Sequence, residues 1–277
     1  MEVKNINWKD WQERIDNCEI IIWYGSLENL YPISQWIHLG AFPIGYGTLD
    51  DIRQDLPNLD WIIRHLAWLG FNKFRIISIS DYNGLELFYQ NYFENLDITF
   101  AYSNLYEFIY QRNSNTNGQL IIIPGHLQTN ADLRHALLLH RQRGNEISLL
   151  AIRGLQFRVG LAEVKVENNL NIVSKFQEKP LNKSELISSE IIIINDKLFN
   201  STLLKELNYT QTPGKDISEE AFLNEILDLI IQKKELSEIE LTGITGEPWF
   251  IDLSDLETWV KLDHDNFIRK FSHLIKE

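Results

Sequence analysis

Short apolar runs alternate with amphipathic segments along most of the chain. Runs rich in isoleucine and leucine have the length of strands, and the near-continuous run Leu120–Ile123 is typical of a strand buried on both faces. The predicted strands are residues 19–23, 74–79, 98–100, 120–123, 147–152, 161–166, 170–176, 190–194 and 249–251. Because helical patterns separate most of these runs, the sequence predicts an α/β domain with a mostly parallel sheet flanked by helices.

Four helices are predicted among these strands. The first begins with Asn58 as its N-cap and ends at Gly70, and the second begins at Thr129 or Asn130 and ends at Gly144. The other two cover residues 217–231 and 254–271. Residues 1–18 form a predicted N-terminal extension with helical apolar spacing, which either packs on the domain or docks a partner. Residues 19–277 form the single domain.

Composition and charge narrow the function classes. The net charge of −13 disfavours a nucleic-acid surface, because phosphate contacts need a basic face. No apolar run reaches the roughly 18 residues that a membrane span needs. Cys18 is the single cysteine and cannot form an internal disulfide, which favours a reducing compartment. We therefore expect a cytoplasmic protein that binds neither nucleic acid nor membrane.

Several segments carry a family resemblance. They are Tyr24–Ser34 with Ala41–Gly45, Ile121–Leu133, Arg158–Val164 with Phe176–Pro180, and Trp249–Asp252. In this order they resemble the sugar-1-phosphate nucleotidyltransferases, or NDP-sugar pyrophosphorylases, which carry G-G-x-G-T-R-L-x-P-L-T, K-P-L-L-P-I-G, G-D, F-x-E-K-P and W-x-D motifs there. The resemblance spans most of the chain. It implies the Rossmann-like, GT-A-like fold of nucleotide-diphospho-sugar transferases, with its ligand site at the carboxyl ends of the strands.

The resemblance also implies a site and a reaction. The family joins a nucleoside triphosphate to a sugar 1-phosphate and releases pyrophosphate. It uses a glycine-rich loop, fixed cations and Mg²⁺ held by two aspartates. Carried over position by position, the ligand-binding residues are Gly25, Gly160, Glu178 and Lys179, and the metal-binding residues are Asp252 and His126.

The chain departs from this pattern where the chemistry is done. Residues 27–29 are Leu-Glu-Asn in place of Gly-Thr-Arg, Leu39 stands at the motif lysine, and residues 103–108 lack the glycines of the base-binding segment. His126 stands at one metal-binding aspartate. Because Mg²⁺ prefers oxygen ligands, a His126–Asp252 pair would suit zinc or manganese better; alternatively, His126 is a hydrogen-bonded structural residue. Glycines 40, 45 and 47 could form a replacement phosphate loop.

These departures favour a catalytically degenerate protein over an enzyme. The leading interpretation is a sugar-phosphate or nucleotide-sugar binding or regulatory subunit, forming a homo-oligomer or pairing with an active homologue. The first alternative is an active nucleotidyltransferase that uses Mg²⁺ or Mn²⁺. A glycosyltransferase on the related fold is the third, although Pro124-Gly125-His126 stands where such enzymes place Asp-x-Asp.

Overall fold

The computed structural model describes most of the central sheet and its nearest helices. The described residues are 15, 17–25, 38–49, 52–79, 85–86, 89, 93, 95–103, 105, 107–108, 118–153, 161–167, 170–177, 186–200, 236–244, 248–254 and 256–274. The strands are β1 Cys18–Tyr24, β2 Pro43–Leu49, β3 Ile52–Pro57, β4 Lys73–Ser78, β5 Asp97–Tyr102, β6 Gln119–Pro124, β7 Leu127–Thr129, β8 Ile147–Arg153, β9 Leu161–Glu167, β10 Leu170–Gln177, β11 Leu186–Asn195, β12 Leu236–Glu240 and β13 Phe250–Asp252. The helices are α1 Asn58–Trp68, α2 Leu133–Gln142, α3 Leu256–Val260 and α4 His264–Lys270.

The central sheet has nine described strands in the order β5-β4-β1-β6-β11-β8-β12-β10-β9. The pairs β5–β4, β4–β1, β1–β6 and β8–β12 are parallel, and β11 runs antiparallel between β6 and β8. The strand β10 is antiparallel to both β9 and β12. The predicted mostly parallel α/β sheet is therefore confirmed, with an antiparallel strand at its centre and an antiparallel pair at one edge.

Two glycines end the first two helices. Gly70 has φ 95° and Gly144 has φ 65°, values that cost glycine little. At the end of α2 the N–H of Gly144 donates to Arg141 O and the N–H of Asn145 donates to His140 O. This pair of bonds is the Schellman arrangement, which satisfies carbonyls that the helix leaves open. The predicted stops at Gly70 and Gly144 are confirmed.

The predicted helix starts are wrong in detail. Pro57 is the N-cap of α1, and Asn58 is its first residue. The Asn58 side chain does not cap the helix, because it donates to Gly125 O after the end of β6. Asp132 is the N-cap of α2, because its Oδ1 accepts from the N–H of Arg134. Thr129 instead closes a local turn by accepting from Ala131 N at 3.0 Å.

Other differences come from packing that the periodicity does not show. The predicted helix 254–271 is split into α3 and α4. Asp263 is the N-cap of α4, because its Oδ1 accepts from the N–H of Asn266. Gly45 and Gly47 lie in the antiparallel β2–β3 pair, which rules out the suggested phosphate loop around them. The predicted helix 217–231 and most of the N-terminal extension lie outside the described residues. The domain boundaries stay predictions.

The main core cluster joins Ile20 and Ile22 of β1 and Ile121 and Ile123 of β6 to the apolar faces of α1 and α2. Ile21 and Ile122, which alternate to the opposite face of the sheet, are buried as well. A second cluster packs Trp61 of α1 against Phe267 and Phe271 of the C-terminal segment, with ring centroids 5.2 and 5.4 Å apart. None of the described helices is long and apolar enough to cross a membrane.

Candidate functional site

The candidate site begins at the carboxyl end of β6, where the chain turns into β7. The N–H of Gly125 donates to Trp23 O at 2.7 Å and joins this turn to the end of β1. Asn58 Nδ2 donates to Gly125 O at 2.7 Å, and Gln128 Nε2 donates to Asn58 O at 3.0 Å. Asn58 and Gln128 are buried, so these bonds are shielded from water and fix the turn.

A short ladder brings His126 and Asp252 together across 126 positions of sequence. Strand β13 pairs antiparallel with β7, which sets Asp252 opposite Leu127, and the N–H of Leu253 donates to His126 O at 2.8 Å. His126 Nε2 lies 3.8 Å from Asp252 Oδ1. The same carboxylate oxygen accepts from Ser254 N at 2.8 Å, which holds its orientation. The two predicted metal-binding residues are thus neighbours in the fold.

Glu190 completes the group and was missed as a site residue. Its Oε2 lies 3.5 Å from His126 Nε2. Glu190 has φ 60°, and it is the one described non-glycine residue with a positive φ. The pairing of β11 with β8 shifts between Ser188 and Ile192, so Glu190 sits in a bulge of β11. Such backbone is unfavourable for a residue with a Cβ atom and concentrates at functional positions.

Two buried serines hold the bulge in place. Ser188 Oγ accepts from the N–H of Glu190 at 3.1 Å. Ser189 Oγ donates to Leu150 O at 2.7 Å and accepts from the N–H of Ile191 at 3.3 Å. These bonds replace ladder bonds that the irregular strand loses, and they aim the Glu190 side chain at His126. In the family that the sequence resembles, this segment carries the small residues N-A-G, and here it reads Ser188-Ser189-Glu190. The substitution is visible in the sequence, but the bulge is not.

The resulting cluster of His126, Glu190 and Asp252 is partly open to solvent. The side chains are 18, 19 and 22% exposed, so a ligand can reach all three. They depart from the Mg²⁺ site that the resemblance implies, because both carboxylates face the imidazole of His126 and Mg²⁺ prefers oxygen ligands. Within the described residues no group of three or more His, Cys, Asp or Glu is arranged to hold a metal ion. The metal role of His126 and Asp252 remains a prediction.

The Tyr24 ring packs on Gly125, the residue before His126. A Cβ atom on Gly125 would lie 2.3 Å from Tyr24 Cε1 and 2.4 Å from Cζ, so the ring lies directly against the Gly125 backbone. The ring of His38 meets the Tyr24 ring edge-on with centroids 4.6 Å apart. Tyr24 is only 1% exposed, at the position of the first glycine of the family's loop motif. That substitution was the available sequence signal, and it was missed.

The histidine behind Tyr24 is part of the scaffold. His38 Nδ1 accepts from the N–H of Gly40 at 3.0 Å, and Nε2 lies 3.1 Å from Ser78 Oγ. Burial lowers the pKa of His38 to about 4, so the ring is neutral at pH 7 and contributes no positive charge.

The remaining predicted site residues are only partly located. Gly25 follows Tyr24 directly and is half-buried. Gly160, Glu178 and Lys179 lie outside the described residues, so their ligand-binding roles remain predictions.

Comparison with known proteins supports the fold alone. No protein-family profile matches the chain, and no curated protein is similar to it. A solved structure named as a glucose-1-phosphate thymidylyltransferase from Bacillus anthracis, in complex with a sucrose, is similar, with a TM-score of 0.65 and 14% sequence identity. The match covers 94% of this chain and 96% of the other. The chain therefore has the nucleotidyltransferase-like, nucleotide-sugar transferase fold.

Proposed function

We propose that this protein is a nucleotidyltransferase-like protein that has lost nucleotidyl transfer and acts as a sugar-phosphate or nucleotide-sugar binding or regulatory subunit. The observation that carries the proposal is the His126–Glu190–Asp252 cluster. It stands where the resemblance implies a pair of aspartates around Mg²⁺, and one of those positions holds an imidazole facing two carboxylates.

The cluster lacks the pair of aspartates that would hold the metal for transfer. Transfer of a nucleotidyl group from a nucleoside triphosphate to a sugar 1-phosphate builds negative charge on the attacked phosphate, and catalysis requires fixed cations or Mg²⁺ beside it. Here one aspartate position holds His126, whose Nε2 faces the Glu190 carboxylate at 3.5 Å. The motif lysine position is Leu39, which is fully buried and has no charge to offer.

Binding of a sugar is compatible with the same side chains. Carboxylates accept, and an imidazole accepts or donates, the hydrogen bonds that sugar hydroxyl groups offer. The partial exposure of the cluster leaves these atoms accessible. A protein of similar fold is named as a complex with a sucrose, which supports a sugar as the class of ligand. A cytoplasmic location is part of the proposal.

Two measurements on the purified protein test this function. The first is pyrophosphate release from each common nucleoside triphosphate with glucose 1-phosphate and either Mg²⁺ or Mn²⁺; we expect none above background. The second is thermal unfolding with sugar phosphates and nucleotide sugars; we expect a saturable stabilisation by at least one of them, about 2.7 kcal/mol at 100 times its Kd.

The active-enzyme alternative makes the opposite prediction. Metal-dependent pyrophosphate release that the isosteric variant Asp252→Asn abolishes would contradict the proposal and establish that alternative. Ser254→Ala is the matched control, because its side chain is replaced while the backbone N–H that binds Asp252 Oδ1 remains. Absence of both turnover and ligand stabilisation, in protein that melts cooperatively, would also contradict a sugar-binding role.

A further inference from the structure

The strand order places a ligand crevice between β1 and β6. After β1, the next strands of this sheet, β4 and β5, lie on one side of it, and β6 lies on the other. Both β4 and β6 are parallel to β1. In open α/β sheets the crevice at such a reversal, outside the carboxyl ends of the two strands, is where ligands bind. Here those ends are Tyr24 and Pro124-Gly125.

The protein's own side chain occupies this crevice. The Tyr24 ring lies between Gly125 at the end of β6 and the turn at residues 38–40. A Cβ atom on Gly125 would lie within 2.3 to 2.6 Å of three ring carbons, and one on Gly40 would lie 3.1 Å from the Tyr24 hydroxyl. Gly125, Gly40 and the ring of His38 therefore surround the Tyr24 side chain closely.

Two described backbone amides at the crevice, those of Gly125 and Gly40, already donate hydrogen bonds within the protein. Phosphate sites at strand ends depend on backbone N–H groups that point at the ligand. The N–H of Gly125 donates to Trp23 O at 2.7 Å, and the N–H of Gly40 donates to His38 Nδ1 at 3.0 Å. Neither donor points to a ligand without breaking a buried hydrogen bond, which costs about 1–3 kcal/mol when no replacement forms.

We infer that Tyr24 is a specificity-determining residue: it closes the switch-point crevice to nucleotides and restricts the cleft to a sugar phosphate whose sugar hydroxyl groups, and not its phosphate, bind at the His126–Glu190–Asp252 cluster. The inference rests on the proposed function and deepens it, because it selects sugar phosphate over nucleotide sugar as the ligand class. His126 follows Gly125 directly, so the residue on which the Tyr24 ring packs precedes the first residue of the cluster.

A double-mutant cycle tests the geometry without any ligand. Gly125→Ala is measured by urea unfolding in the native background and again in Tyr24→Ala. We expect a large fall of the urea midpoint in the native background and a small one in Tyr24→Ala, because the added methyl collides with the ring. Equal falls in the two backgrounds would overturn the packing on which the inference depends. If Tyr24→Ala does not fold, Tyr24→Leu supplies the smaller side chain.

Ligand binding tests the specificity. The probes are ATP, UTP and dTTP with Mg²⁺, and glucose 1-phosphate, each titrated by calorimetry into native protein, Tyr24→Phe and Tyr24→Ala (or Tyr24→Leu). We expect no saturable nucleotide binding by native protein or by Tyr24→Phe, which keeps the ring. We expect at least a tenfold gain in nucleotide affinity for the variant with the smaller side chain.

The outcomes separate this inference from the proposed function. Saturable nucleotide binding by native protein overturns the inference, whatever the sugar phosphate does. A folded Tyr24→Ala or Tyr24→Leu that gains no nucleotide affinity overturns it as well. Failure of native protein to bind any sugar phosphate or nucleotide sugar contradicts the proposed function, while the nucleotide gain on shortening Tyr24 remains measurable.

Discussion

Replacing Glu190 by glycine removes both a strained backbone conformation and a carboxylate of the proposed site. Glu190 has φ 60°, where an L-residue costs roughly 1–2 kcal/mol because its Cβ approaches the carbonyl oxygen. Glycine escapes this cost, but it loses about 0.5–1 kcal/mol to the greater freedom of the unfolded chain. The lost contact to His126, between two partly exposed side chains, is worth about 0–1 kcal/mol. We expect Glu190→Gly to leave the free energy of unfolding nearly unchanged.

The comparison with Glu190→Ala isolates the backbone contribution. Both variants lose the carboxylate, but alanine keeps a Cβ atom in the left-handed conformation. We therefore expect Glu190→Ala to be less stable than Glu190→Gly by about 0.5–1 kcal/mol. Urea unfolding followed by circular dichroism measures this difference. An alanine variant as stable as the glycine variant would refute the strained conformation of Glu190 in solution.

A third variant separates strain from function. Glu190→Gln keeps the size and the backbone conformation of the side chain and removes only its charge. If the strain is retained because it places a carboxylate beside His126, Glu190→Gln should unfold at nearly the native urea concentration. It should bind the sugar more weakly, because an amide oxygen is a weaker acceptor for sugar hydroxyl groups than a carboxylate. Unchanged affinity in this variant would remove Glu190 from the proposed site.

Three further predictions concern the scaffold. Burial lowers the pKa values of His38, His65 and His140 to about 4. These side chains are therefore neutral in the folded protein between pH 4 and 6.5, where they are protonated in the unfolded chain. Stability is therefore complete above pH 6.5 and falls as pH drops towards 4, by roughly 3 kcal/mol per histidine; acid unfolding curves should show this, and a flat profile would contradict it. Gly144→Ala should lower the free energy of unfolding in urea by about 1 kcal/mol. The cause is the backbone conformation, with φ 65°, because an added Cβ would meet no atom within 4 Å. Gly144→Asn should lower it less, because asparagine adopts this conformation more readily. Burial raises the pKa of the Cys18 thiol to about 12, so DTNB at pH 8 should react only after unfolding, and rapid native labelling would refute its burial.

The strands and two helix ends could be predicted because local chemistry decides them. The isoleucine runs of β1 and β6 are apolar at every position, as strands covered on both faces require. Gly70 and Gly144 end helices because both adopt positive φ, a preference visible in the residue type. The split between α3 and α4 could not be predicted from periodicity, since apolar spacing continues through it while Asp263 caps a new helix.

The site could be predicted only in part, because its geometry depends on distant pairings. The resemblance identified His126 and Asp252, but their separation of 3.8 Å comes from the β7–β13 ladder. The role of Glu190 depends on a bulge in β11, and the run Ser188-Ser189-Glu190 shows only that the family's small residues are replaced, not that the strand is irregular. The importance of Tyr24 lies in its packing on Gly125, a contact across 101 positions of sequence that residue types alone do not reveal.

The substitutions at Tyr24, His126 and Glu190, relative to the family that the sequence resembles, are better explained as one changed site than as three separate losses. Tyr24 ends β1, His126 follows the neighbouring strand β6, and Glu190 lies in β11, the strand on the other side of β6. The Tyr24 ring packs on Gly125, and the Glu190 carboxylate meets His126 on a backbone that favours glycine over other residues. A strained residue that adds little stability is explained most simply by a ligand, so this arrangement favours an altered binding specificity over an eroded active site.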